Sequence, residues 1–213
     1  TFWDCEYYFG PTGYYLGCYD KSKHPAINKV LAEYFKRLSE SRQIDFELIL
    51  WFSLKLIEQI PRISALLSKL FPIMFVDEYQ DTKEIQYNII ASILRAGRGS
   101  SRLFMVGDPN QAIYTSLGGY PIAIQDLEKL TTFTIKALSL SANYRSSTRI
   151  VDYFSNFSVN NSIVIAEGKH RDYASTITYD NQINRDQLIN EIAKVVQYSV
   201  ETLGISPKEI CIL

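Results

Sequence analysis

Apolar residues follow helical spacing in some stretches of the chain and form short unbroken runs in others. Residues 27–38 (INKVLAEYFKRL) predict an amphipathic helix. Asp45 stands as an N-cap before FELILWFSLKLIEQI, a long apolar helix that Pro61 interrupts, and a shorter helix continues to about Leu70. IMFV at 73–76 has the character of a buried strand and leads at once into DEYQDT. A helix is predicted over about 83–95, closed by Gly97 and Gly99. RLFMVGD at 102–108 reads as a second apolar strand, ending in a glycine and an acid. Short helices are predicted over 110–116 and 121–130, a third strand over IKALSL at 135–140, and a helix over about 147–156. Strand-like stretches at 162–166 and 175–179 precede a helix over about 185–203. Ser206 and Pro207 then turn the chain into EICIL, a last strand.

Apolar strands alternating with helices predict an α/β architecture with a mostly parallel sheet. Chemistry in such sheets gathers beyond the carboxyl ends of the strands. Polar clusters at 77–82, 107–111 and 143–146 each follow a predicted strand, which points to one site fed by three loops. The first twenty residues stand apart: Phe2, Trp3, Tyr7, Tyr8, Phe9, Tyr14, Tyr15 and Tyr19 crowd a segment broken by Gly10, Pro11, Gly13 and Gly17. Such a cluster serves either as a base-stacking platform or, as aromatic residues more commonly do, as packing surface against something missing from these residues.

Composition narrows the class. The chain has 213 residues, 46% hydrophobic and 21% charged, ordinary values for a globular protein. No uninterrupted apolar run long enough for a transmembrane helix occurs, and acids stand in the N-terminal stretch where a signal peptide needs bases. Cys5, Cys18 and Cys211 cannot pair completely and none lies in a C-x-x-C, so reduced thiols in a cytoplasmic protein are expected. His24 and His170, the two histidines, have no ligand-spaced neighbours, which argues against zinc. Net charge is −1 and is spread evenly, with five bases and five acids in 1–40, nine and ten in 41–132, and eight and eight in 133–213. Global electrostatics therefore carry no argument for a nucleic-acid partner.

The chemistry concentrates in VDEYQDT at 76–82. A magnesium nucleotide site needs one carboxylate to orient the metal's ligands and a second to take a proton from the attacking water. Asp77 and Glu78, adjacent at the end of a strand, can supply both. An apolar strand ending in Asp-Glu also occurs in proteins that bind no nucleotide, so the pair alone decides little.

The longer string decides more. FVDEYQDT at 75–82 resembles the Walker B segment, motif II, of UvrD/Rep-type superfamily-1 DNA helicases; VGDPNQAIY at 106–114 resembles their motif III, LSANYRSS at 140–147 their motif IV, and RQIDFELIL at 42–50 the segment before motif II. The resemblance covers about 40–155 with specificity and the flanks loosely. It implies an incomplete RecA-like P-loop NTPase domain, a parallel sheet flanked by helices, followed by the start of a second RecA-like domain. Residues 1–40 would end the helical 1B subdomain, 41–132 form the second part of domain 1A, and 133–213 begin domain 2A. ATP and Mg2+ are the implied cofactors, and single-stranded DNA or a partial duplex the implied partner, with proteins of a repair complex as further candidates and no membrane. Asp77 would coordinate magnesium, Glu78 activate the hydrolytic water, and Gln111 sense the γ-phosphate. Tyr144 would stack on the adenine and Arg145 reach the γ-phosphate as an arginine finger, for which a fixed fork of donors is suited. Tyr114 would pack against single-stranded DNA. The motor implied moves 3′ to 5′.

Two departures qualify the resemblance. Family members usually continue motif III as I-Y-x-aromatic-Arg-Gly, whereas this chain reads Ile113-Tyr114-Thr115-Ser116-Leu117-Gly118-Gly119. Ser116 cannot stack on a base and Leu117 cannot pair with a phosphate, which touches the grip on DNA and not hydrolysis. No G-x-x-x-x-G-K-[ST] is present, and the last two helicase motifs are absent too. The chain is therefore expected to be an internal fragment, inactive by itself, of an ATP-dependent helicase or translocase. A helicase-like scaffold or regulator of a repair or defence complex is the alternative, and an ATP-gated nuclease subunit finds no supporting constellation in these residues.

Overall fold

The computed structural model describes residues 5–159, 163–174 and 176–212. Two compact units divide it: Thr1–Ser141 with Phe157–Ile163, and Ala142–Asn156 with Val164–Leu213. Each is mixed α/β with a small parallel sheet.

The first unit opens with an antiparallel hairpin, β1 (Tyr7–Gly10) and β2 (Gly13–Leu16), which pairs Tyr8 with Tyr15 and Phe9 with Tyr14. Side chains alternate across a strand, so Tyr7, Phe9 and Tyr14 share one face and Tyr8 and Tyr15 the other. The first face packs inward. Phe9 stacks on Trp51 at 4.9 Å and Tyr7 meets Phe35 edge-on at 5.3 Å. Phe9, Leu54 and Ile85 form the buried centre of this cluster. Packing partners for half the aromatic segment are thus within the chain, on α1 (His24–Ser41) and α2 (Phe46–Gln59). Phe2 and Trp3 lie outside the described residues.

Helix α1 starts at His24, earlier than the apolar pattern suggests, because Pro25 suits the first turn. It ends on Arg42 in the left-handed region at φ 55, where the Gln43 amide bonds Leu38 O at 2.9 Å. Asp45 caps α2 as expected, accepting the Leu48 amide at 2.8 Å, and also accepts the hydroxyls of Tyr7 and Tyr34. Burial opposes ionisation of this carboxylate, but the bonds from Tyr7, the Leu48 amide and Tyr34 outweigh it and hold its pKa below the ordinary value. A group with a depressed folded pKa stabilises fully above its unfolded pKa, and that stability is lost as pH falls through the folded value. Asp45→Ala is accordingly expected to cost about 1–2 kcal/mol at neutral pH, with the difference from wild type shrinking in acid below the ordinary aspartate range. Urea melts across pH check this, and a deficit that grew on acidification would contradict it.

Pro61 ends one helix by opening the next, α3 (Pro61–Leu70). Strand β3 (Ile73–Val76), helix α4 (Glu84–Gly97) and strand β4 (Arg102–Met105) then form a β-α-β unit, with Phe75 opposite Phe104 in parallel register. One face of this pair is covered: Leu103 and Met105 pack against buried Tyr87, Ile122 and Leu127, the last from α5 (Ile124–Thr131). Phe75 and Phe104 on the other face are 74% and 54% exposed.

The predicted helix at 110–116 is instead two short 3-10 turns, Pro109–Gln111 and Thr115–Leu117. Asp108 caps the first of these turns by accepting the Asn110 amide at 2.9 Å, and Ala112, extended at ψ 91, breaks the run before the second. IKALSL at 135–140 forms no strand; Leu138 and Leu140 are exposed, and pairing begins only at β5 (Ala142–Asn143). In the second unit β5 pairs in parallel with β6 (Ile165–Ala166), joined through α6 (Thr148–Ser155). Residues 176–179 are not a strand, and Ser162 and Ser175 lie outside the described residues. Helix α7 (Leu188–Glu201) matches its pattern. The expected EICIL strand is replaced by a 3-10 turn at Pro207–Glu209 and unpaired residues to 212. Cys5, Cys18 and Cys211 form no disulfide, and no described helix is long and apolar enough to cross a membrane.

Candidate functional site

The carboxyl ends of β3 and β4 carry the acid pair and the motif III loop side by side. The ladder continues past the strands, with the Val106 amide on Val76 O at 2.9 Å and the Tyr79 amide on Val106 O at 3.1 Å. Between those bonds the chain turns sharply: Glu78 is in the left-handed region at φ 50, and its amide donates to Asp77 Oδ1 at 2.9 Å. A non-glycine residue there is strained. The turn leaves Asp77 and Glu78 exposed beyond the strand end while Gln80 folds beneath them, 2% exposed.

Gln80 is the hinge of the site. Its Nε2 donates to Glu78 Oε2 at 2.8 Å, and its Oε1 accepts the Asp108 amide at 3.0 Å. Asp108 Oδ2 in turn accepts Gln111 Nε2 at 3.0 Å. An unbroken hydrogen-bonded path therefore joins Glu78 to Gln111 through Gln80 and Asp108. The approach needs glycine at 107, where a Cβ would lie 2.3 Å from Gln80 Oε1 and 2.7 Å from Tyr79 Cδ1. From below, fully buried Tyr87 donates its hydroxyl to Tyr79 O, and burial pushes that phenol up to about 12, so it remains a donor. Burial, and then the Asp108 carboxylate, also push the Tyr79 phenol up.

Tyr114 follows on the same loop, 49% exposed, with its carbonyl accepting the Leu117 and Gly119 amides at 3.0 and 2.9 Å. The loop is tied back to the end of motif II, where the Tyr120 amide donates to Thr82 O at 3.0 Å and Lys83 bridges Gly119.

Tyr144 and Arg145 belong to the second unit. They sit on a turn after β5 that Asn143 shapes by accepting the amides of Arg145 and Ser146 at 3.0 and 2.8 Å. Gly168 lies against this turn, since a Cβ there would fall 2.1 Å from Tyr144 O. Tyr144 is 69% exposed, and the Arg145 side chain is exposed as well.

Comparison with known proteins bears on what this loop cluster belongs to. The family model of the UvrD/REP helicase N-terminal domain matches residues 15–132, more than half of the chain. The chain belongs to the UvrD/Rep helicase family. It is 30% identical over 146 residues to the ATP-dependent DNA helicase PcrA of Bacillus subtilis, a match covering 68% of this chain and 19% of the relative. PcrA of Leuconostoc citreum is 30% identical over 138 residues, 65% of this chain and 18% of the relative. The ATP-dependent DNA helicase UvrD1 of Mycobacterium bovis is 31% identical over 132 residues, 59% and 17% respectively. The chain thus spans under a fifth of the length of these curated relatives.

Within this UvrD/Rep chain, Asp77, Glu78 and Gln111 occupy neighbouring strand ends of one unit, whereas Tyr144 and Arg145 occupy a turn of the other. Reasoning from the sequence singled out neither Gln80 nor Asp108 nor Gly107. A polar residue two places after the acid pair, and a glycine before the facing acid, were the available signals.

Proposed function

We propose that the chain is the central stretch of an ATP-driven single-stranded DNA motor of 3′ to 5′ polarity. Residues 1–40 end its 1B subdomain, 41–132 contribute the second part of domain 1A, and 133–213 begin domain 2A. The observation that carries this reading is the path from Glu78 through Gln80 and Asp108 to Gln111. A water-activating carboxylate and an amide that answers to the terminal phosphate have to move together if hydrolysis is to drive motion, and a hydrogen-bonded path through buried Gln80 gives them a common geometry.

In this reading Glu78 accepts the proton of the attacking water, and Gln111 donates its amide to the γ-phosphate. Asp77 would hold a magnesium ion, which takes one or two carboxylates and fills its remaining positions with water and phosphate oxygens; an exposed carboxylate open to solvent at a strand end suits that ion. Magnesium would neutralise charge on the phosphates. Tyr144 offers a flat face for the adenine, Arg145 a fork of donors for the γ-phosphate, and Tyr114 a face for a base. The phosphate-binding loop would come from a part of the protein outside these 213 residues, and the chain alone would turn over no ATP. The open face bearing Phe75 and Phe104 supports that view, because parallel sheets are covered on both sides.

A non-motor scaffold draws on Ser116 and Leu117, which lack the family's stacking and phosphate-pairing groups. ATP turnover by the full-length protein separates the two readings. The motor predicts turnover that rises when oligothymidylate is added, and displacement of a strand from a 3′-tailed duplex in preference to a 5′-tailed one. Turnover indifferent to DNA would remove the motor, and the opposite tail preference would remove the polarity.

A further inference from the structure

The outer face of the hairpin has no part in the aromatic core. Tyr8 and Tyr15 stack there as a cross-strand pair, ring centroids 5.6 Å apart and planes 20° apart. The Tyr15 ring spreads over Gly10, where a Cβ would lie 2.6 Å from its Cε2, and its hydroxyl bonds Thr12 Oγ1 at 3.0 Å. Tyr15 nevertheless stays 45% exposed. Holding a large aromatic ring flat against a glycine and leaving half of it in water gains little burial; what it does create is a fixed, open π-face.

The position of that face is specific. Tyr8 lies directly on Gly118, where a Cβ would come within 2.6 Å of its Cδ2 and where φ is +91, so only glycine fits. At the far end of β2, Gly17 abuts the backbone of Ser116, with a Cβ there 3.3 Å from Ser116 O. The hairpin is also anchored from behind. Glu47 accepts the Phe9 amide at 2.9 Å and pairs with Lys83 at the exit of motif II. Tyr8, which carries the stacked Tyr15, therefore stands on the very turn, Tyr114 to Gly118, in which Ser116 replaces the family's aromatic residue.

We propose that the Tyr8–Tyr15 face is a base-stacking subsite for single-stranded DNA, continuous with Tyr114, which restores from the hairpin the aromatic surface that Ser116 lacks. This rests on the reading of Tyr114 as a DNA contact. Tyr15 presents the ring to the base, and Tyr8 is a positioning residue that braces it against Gly118. Charge near the face is balanced: Lys83, 6.0 Å from the Tyr8 ring, is paired with Glu47, and the neighbouring Glu84 is acidic. The subsite consequently contributes through stacking rather than phosphate attraction, and tolerates any base.

The test uses the full-length protein and fluorescein-labelled oligothymidylate followed by anisotropy. Tyr15→Leu, which keeps bulk and removes the flat ring, is expected to weaken binding by about 5- to 150-fold, and Tyr15→Phe to bind as wild type. The dependence of log affinity on log salt should keep its slope in Tyr15→Leu, since no phosphate contact is removed. Cross-linking of wild-type protein to an oligonucleotide carrying 5-iodouracil supplies a readout that folding of a variant cannot disturb, and the expected adduct maps to the peptide containing Tyr15. Wild-type affinity in Tyr15→Leu, or adducts at Tyr114 with none on the hairpin, would overturn the subsite while sparing the reading of Tyr114. Weakening in Tyr15→Leu with none in Tyr114→Ala would remove Tyr114 from the DNA path and overturn the continuous surface proposed here. A wild-type protein that fails to bind oligothymidylate would remove both.

Discussion

Glu78→Gln in the full-length protein is expected to lower the rate of ATP hydrolysis by about 100- to 10,000-fold and to leave nucleotide affinity nearly unchanged. The substitution is close to isosteric. Gln80 Nε2, which donates to Glu78 Oε2 at 2.8 Å, can donate equally to the carbonyl oxygen of a glutamine, so the hydrogen-bonded path to Gln111 survives. Backbone strain at position 78, φ 50, is common to both residues. The change removes the capacity to accept a proton and little else, which is the condition for reading a kinetic loss as loss of a base. Single-turnover hydrolysis and binding of a fluorescent ATP analogue, measured on the same preparation, separate the two quantities. Hydrolysis close to the wild-type rate would take the base away from Glu78, and a matching loss of affinity would make it a binding residue.

The legible parts of the fold were those where one physical cause dominated. Asp45 caps α2 because a short acidic side chain before an apolar run can accept the orphan amides of a first turn, whatever surrounds it. IMFV and RLFM were legible as short apolar runs bounded by polar loops, although only the Leu103–Met105 face of the pair is covered here, and their parallel pairing follows from the helix between them. The acid pair and Gln111 were legible as loop residues after strands, which is where β3 and β4 place them.

What could not be read depended on partners remote in sequence. IKALSL has the composition of a strand, yet a strand exists only beside another; Ile135 packs against the Tyr87 cluster while Leu138 and Leu140 remain exposed short of β5. The N-terminal hairpin was hidden by its own richness. Alternation reveals a strand when one face is polar, whereas here Tyr7 and Phe9 on the core face alternate with Tyr8 on a second aromatic face. Gln80 was hidden in the opposite sense, because glutamine in a polar loop is ordinarily solvated. Only the close approach permitted by Gly107 buries it and gives both ends of its amide a partner.

Arg145→Ala should slow hydrolysis by about 1,000- to 100,000-fold, the range over which arginine fingers act, with little change in affinity for single-stranded DNA. Structural damage is not expected from the substitution. The turn after β5 is shaped by Asn143, whose side chain holds the amides of residues 145 and 146, and by the backbone of Gly168 against Tyr144. The Arg145 side chain projects into solvent from that scaffold, so its removal takes away a donor fork and leaves its mounting intact. Lysine at the same position supplies charge without the planar fork, and Arg145→Lys should therefore recover only part of the rate. Steady-state hydrolysis with saturating oligothymidylate, set beside anisotropy with the labelled strand, gives both readouts. A defect confined to DNA affinity would move Arg145 out of the nucleotide site altogether. Full recovery by lysine would reduce its part to charge alone. A rate collapse with DNA binding preserved would make hydrolysis depend on a residue of the second unit as well as on the base proposed at Glu78, the dependence that a motor requires.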